Sequence, residues 1–86
     1  MFLYRISQDV NNNYDTYDSD IVCAESEDEA RMIHPARRFF DDYKEWDGKD
    51  EEFSMWCAAK DVQVEIIGTA ANNLPKGVVI ASYNAG

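Results

Sequence analysis

Only one segment of this chain carries a complete helix signature, and a proline closes it almost as soon as it opens. In SEDEARMIHP, residues 26–35, Ser26 is followed three positions later by Glu29, the spacing of a capping box. Glu27, Asp28 and Glu29 put carboxylates in the first turn, where the helix dipole favours them. Pro35 disfavours helical geometry at His34, so the helix is held to residues 27–34, about two turns. Ala30, Ile33 and His34 would share its inner face, with His34 serving as a C-terminal capping group. So short a helix cannot organise the core of an 86-residue chain alone. Most of the fold must come from strands.

The strands are readable at both ends. Residues 2–6, FLYRI, favour β-structure, with Tyr4 and Ile6 alternating around Arg5. Residues 20–25, DIVCAE, make a second strand, paired antiparallel with the first across an Asn/Asp-rich turn. In residues 62–68, VQVEIIG, Val62, Val64 and Ile66 alternate with Gln63 and Glu65. Residues 78–83, VVIASY, form a last strand whose nearly continuous apolar run predicts a central place in the sheet. The order ββα(α)ββ gives an α+β fold: a small, mostly antiparallel sheet of about four strands with one or two short helices on one face. One domain, residues 1–86, is expected.

The bracketed helix lies in residues 36–45. Phe39, Phe40, Tyr43 and Trp46 recur at helical spacing, and Asp47-Gly48 would end such a helix. A loop with its aromatics tucked inward fits the same residues, and both readings stay open. KDEEF, residues 49–53, reads as a solvated acidic loop; SMWCA, residues 54–58, is apolar but too short to assign.

Charge narrows the partners. Seventeen acids oppose eight bases, a net charge of −9, and residues 9–52 hold fifteen of those acids with only five bases. Such a surface repels phosphate backbones and anionic lipids and attracts basic proteins, although acidity also serves solubility alone. No run approaches the length of a membrane span, and MFLYRISQDV does not read as a signal peptide. Cys23 and Cys57 lie in apolar contexts with no zinc-type spacing, as free buried thiols do, and a disulfide between them stays open. A reducing cytoplasm is the expected compartment.

Residues 9–20, DVNNNYDTYDSD, come close to a calcium loop. Asp9, Asn11, Asn13, Asp15 and Asp20 fall on ligand positions of the EF-hand template. Tyr14, however, occupies the position that needs glycine, and the flanks read as strands rather than helices. A hairpin tip is the favoured reading, with no metal and no cofactor expected; weak calcium binding remains the alternative. His34 is the lone histidine, and a pairing with Cys23 or Cys57 has no local signature. No phosphate loop is present, so no catalytic residue is assigned. The candidate contact residues are surface groups. Tyr14, Asp15, Tyr17 and Asp18 set aromatics beside acids on the tip, with one tyrosine expected to fold back onto the sheet. Glu27, Asp28, Asp41, Asp42 and Glu45 would form a carboxylate patch if the two helical stretches are adjacent.

Segments 3–19, 24–31, 33–35 and 46–48, and the ending KGVVIASYNAG, resemble a group of small proteins of tailed bacteriophages and prophages. The likeness covers about two-thirds of the chain and is most specific at its two ends. It implies a phage origin and a site of action in the host cytoplasm, and brings no catalytic residues with it. The expectation is therefore a non-enzymatic protein that binds a basic host protein, such as an anti-defence inhibitor or DNA mimic. A minor assembly component or homo-oligomer is the alternative.

Overall fold

The structure is a computed structural model that describes residues 1–11, 16–38, 41–49 and 55–84; of residues 38, 41, 42 and 80–84 it describes the backbone alone. Four strands, β1 (Phe2–Ser7), β2 (Thr16–Ala24), β3 (Gln63–Thr69) and β4 (Gly77–Asn84), form one antiparallel sheet in the order β3-β1-β2-β4. The fold is α+β. A five-residue helix, α1 (Glu27–Arg31), and short 3₁₀ turns at Pro35–Arg38, Asp41–Glu45 and Ala59–Asp61 supply the rest.

β1 and β2 pair in unbroken register from Phe2↔Ala24 to Ser7↔Ser19. Opposed residues share a face of the sheet, so Tyr4 lies beside Val22 and Ile6 beside Asp20. That face carries the core. Tyr4, Ile6, Val22 and Ala24 pack with Ala30, Ile33, Ala36, Cys57 and Trp56, whose side chain is wholly buried. Cys23 points to the other face and is also buried, its Sγ 3.8 Å from the Met1 sulfur and 3.9 Å from the Leu74 carbonyl. Both cysteines are free thiols, and the open question of a disulfide is settled against one.

Several expectations need correction. The second strand starts at Thr16, not residue 20, because Thr16 and Tyr17 favour β-structure and the Tyr17 N–H donates to the Met55 carbonyl at 2.8 Å. The last strand lies at an edge, not in the centre. Its apolar run is accommodated there because residue pairing shifts at Ile21/Val22, leaving Val79 as an unpaired, exposed bulge residue. A matching shift between β1 and β3 leaves Ile67 unpaired at 47% exposure. The alternation along β3 weakens toward its end: Val62 is buried and Val64 half-buried, whereas Ile66 is exposed.

The helix is shorter than expected and ends before His34. Ser26 caps it, its hydroxyl accepting from the Glu29 N–H at 3.2 Å. Glu29 returns the favour to the N–H of Glu25 rather than that of Ser26, a capping box displaced by one residue. Arg31 then anchors the helix to the Ala59–Asp61 turn, donating to the carbonyls of Ala59 and Val62. Residues 36–45 do not form one α-helix; they contribute two 3₁₀ turns, and Phe39 and Phe40 lie outside the described residues. Gly48 follows at φ 83°, and its carbonyl accepts from Ala59 at 2.8 Å.

Candidate functional site

Of the calcium-like stretch, residues 9–11 follow β1, residues 16–20 belong to β2, and residues 12–15 lie outside the described residues. Gln8 organises its entry: Oε1 accepts from the N–H groups of Val10 and Asn11 at 2.9 and 2.7 Å. Its Nε2 donates to the carbonyls of Asn11 and Tyr17, and Asn11 Nδ2 reaches the Trp56 carbonyl at 2.8 Å. Asn13, Tyr14 and Asp15 lie outside the described residues. Of the two terminal carboxylates, Asp9 is exposed in the turn, whereas Asp20 belongs to β2 and is buried on the core face. Among the described residues no cluster of three or more His, Cys, Asp or Glu could hold a metal ion.

Tyr17 is a tyrosine that folds back against the sheet, as expected for one of the two, and it leaves the set of candidate contacts. It is 5% exposed, packed in the main cluster, and so offers no ring to a partner. The cause is that β2 begins before it, which turns its side chain against the sheet. Asp18, by contrast, sits where pairing with β4 skips from Tyr17 to Ser19, and this bulge leaves it exposed.

Glu27 and Asp28 are exposed on α1, and Glu45 is exposed at the end of its 3₁₀ turn. The side chains of Asp41 and Asp42 lie outside the description. α1 packs on β1, β2 and β3, whereas the Asp41–Glu45 turn packs on Pro35–Arg38. The acids thus ride on separate elements.

His34 is not a charged helix cap. It lies beyond α1, 1% exposed, with Nδ1 accepting from the Ala36 N–H at 3.0 Å. Its ring stacks on Tyr43 at 4.0 Å and meets Trp46 edge-on at 5.2 Å. Burial lowers its pKa to about 4, so the imidazole is neutral and structural. Asp20 shows the opposite shift. Both of its carboxylate oxygens are buried without a hydrogen-bond partner among the described residues, and burial raises its pKa to about 8.

One feature was invisible in the sequence. Arg37, Lys44 and Lys76 line a single pocket with Gly77 and Val78, although they come from two 3₁₀ turns and the residue before β4. No local motif marks such a convergence, because the residues meet only when β4 docks beside the Pro35–Arg38 turn.

No helix among the described residues is long and apolar enough to cross a membrane. No protein-family model matches this chain, and no curated protein or solved structure matches it.

Proposed function

We propose that this is a phage-encoded, non-enzymatic binding protein that engages a basic host protein through its acidic half, residues 9–52, with an anti-defence inhibitor or DNA mimic as the sharpest form. The observation that carries the reading is the exposure of Asp18, Glu27, Asp28 and Glu45 on a chain of net charge −9. These carboxylates stand on a strand bulge, a helix N-terminus and a 3₁₀ turn, so a partner would read them as a spread array, with Asp15, Asp41 and Asp42 as further contacts. Opposed charge speeds encounter and selects partners, and salt screens it. The test is retention of a bacterial nucleic-acid-binding protein on the immobilised chain at low salt. Retention should be lost at high salt and lost again in an Asp18→Lys/Asp28→Lys variant. A partner held equally well by the variant would overturn the acidic reading.

Homo-oligomerisation is favoured by a different observation. β3 and β4 are both sheet edges, and β3 presents Ile66 and Ile67 at 53% and 47% exposure. Exposed apolar edges are templates for strand addition. Light scattering over a concentration series decides it: a mass that stays at one chain excludes edge pairing.

A further inference from the structure

We propose that the pocket walled by Arg37, Lys44 and Lys76 is a binding site for a phosphate monoester. The pocket has a volume of about 350 Å³ and is completed by Gly77 and Val78. Three of the chain's eight bases therefore meet in one cavity of a protein that carries seventeen acids.

The convergence is built by the fold. Arg37 stands on the Pro35–Arg38 turn, whose backbone is fixed by the Arg37 N–H donating to the His34 carbonyl at 3.0 Å. Lys44 comes from the Asp41–Glu45 turn, and Lys76 directly precedes β4. Glu29 on α1 holds Lys76, with Nζ 3.1 Å from Oε1. Burial pushes the Glu29 carboxyl upward, but the Lys76 hydrogen bond, the Glu25 N–H and the charges of Lys76 and Arg37 outweigh it and lower its pKa. Glu29 is thus held ionised beside the pocket as the partner of Lys76. A multivalent anion can bridge cations that separate parts of the fold bring to one pocket, and for Lys76 it would share the ammonium with Glu29.

The chemistry of the walls selects the class of anion. A guanidinium offers a planar fork matched to phosphate or carboxylate oxygens, and two ammonium groups add point charges without directional demand. A phosphate monoester carries about −1.5 to −2 at neutral pH with three acceptor oxygens, which suits three cations better than a single carboxylate does. The volume lies at the lower end of the range for small-molecule sites, roughly 300–1,000 Å³, and so leaves room for a small organic group behind the phosphate. Gly77 carries no side chain to fill the pocket, and Val78 supplies an aliphatic wall.

The test is a nitrogen-15 NMR titration of the full chain at constant ionic strength with phosphoserine, inorganic phosphate and acetate. Saturable shifts at the Gly77 and Val78 amides with phosphoserine, absent with acetate, are expected. Lys44→Gln and Arg37→Gln should each weaken phosphoserine about tenfold, the scale of one charged hydrogen bond, while Lys60→Gln leaves it unchanged. Lys44 is exposed, so its variant keeps the test valid should Arg37→Gln fail to fold. Shifts that never saturate, that acetate reproduces, or that Lys60→Gln weakens equally would overturn the site. Binding of inorganic phosphate without phosphoserine would overturn the ester.

Discussion

Asp20 and His34 are two ionisable side chains, each 1% exposed, whose burial favours the neutral form and so moves their pKa values in opposite directions. Asp20 has a native pKa of about 8 against 3.8 for the unconstrained group, so the folded chain keeps a proton that the unfolded chain has released. Its contribution to stability is therefore full at low pH and is lost as pH rises toward 8. His34 runs the other way. Its native pKa of about 4 against 6.5 means that the unfolded chain holds the extra proton, so stability rises with pH and levels off above 6.5. The two slopes oppose each other between about 4 and 6.5, and only Asp20 acts from 6.5 to 8. Each proton of difference is worth about 1.4 kcal/mol per pH unit. Urea midpoints should therefore fall between pH 6.5 and pH 8, and Asp20→Asn should hold them level across that window. A parent midpoint that does not fall would show that Asp20 is already ionised in the native protein.

Elements in this fold are short, and their junctions carry much of the order. Gly48 links the aromatic segment to the Ala59–Asp61 turn, and it does so at φ 83°, where side chains other than glycine are strained. A Cβ there would come within 3.0 Å of Ala59 Cβ and 3.1 Å of the Met32 side chain. Gly48→Ala should lower stability by about 1–3 kcal/mol, read from urea or thermal melts, with strain and overpacking both contributing. Ser26→Ala removes the helix cap and should cost about 1 kcal/mol by the same measurement. An unchanged melt in either variant would show that the junction or cap adds nothing. What the sequence disclosed follows the same division. Strands with clear alternation, the Ser26 cap and the α+β order were legible because each rests on neighbours a few positions apart. The edge position of β4 was not, since a continuous apolar run looks alike whether a strand is central or bulged against one neighbour. Nor was the basic pocket, whose residues 37, 44 and 76 lie far apart in the chain and meet only through the fold. That Tyr17 is buried was not legible for a third reason: four residues of β-structure were hidden inside a stretch whose Asn and Asp content signals a turn, so an inward-folding tyrosine was expected without its being assigned.

Taken as a whole, the molecule is a dense negative charge in a small volume, with principal extents of 36 × 23 × 22 Å and a net charge of −9. The Debye length is about 30 Å at 0.01 M salt and about 3 Å at 1 M. At the lower concentration the carboxylates on opposite sides of the protein still repel; at the higher one they do not. The ion pairs Lys76–Glu29 at 3.1 Å and Lys49–Asp47 at 3.9 Å are open to solvent, the second with both side chains more than half exposed. Pairs of that kind contribute little that salt could remove. Screening should therefore relieve more repulsion than it removes attraction, and Tm should rise as sodium chloride is raised from about 0.01 to 1 M. Chloride is the right counterion for the test, because sulfate would also strengthen apolar burial by exclusion from the surface. Asp18→Asn, which removes one exposed carboxylate from a strand bulge, should raise Tm at low salt and flatten the response. If Tm instead falls with salt, local attraction outweighs the global field, and the acidic surface is less strained than its charge implies. If it rises, the free protein holds electrostatic energy that a basic partner can release on binding, which is the physical condition under which such a surface serves recognition as well as solubility.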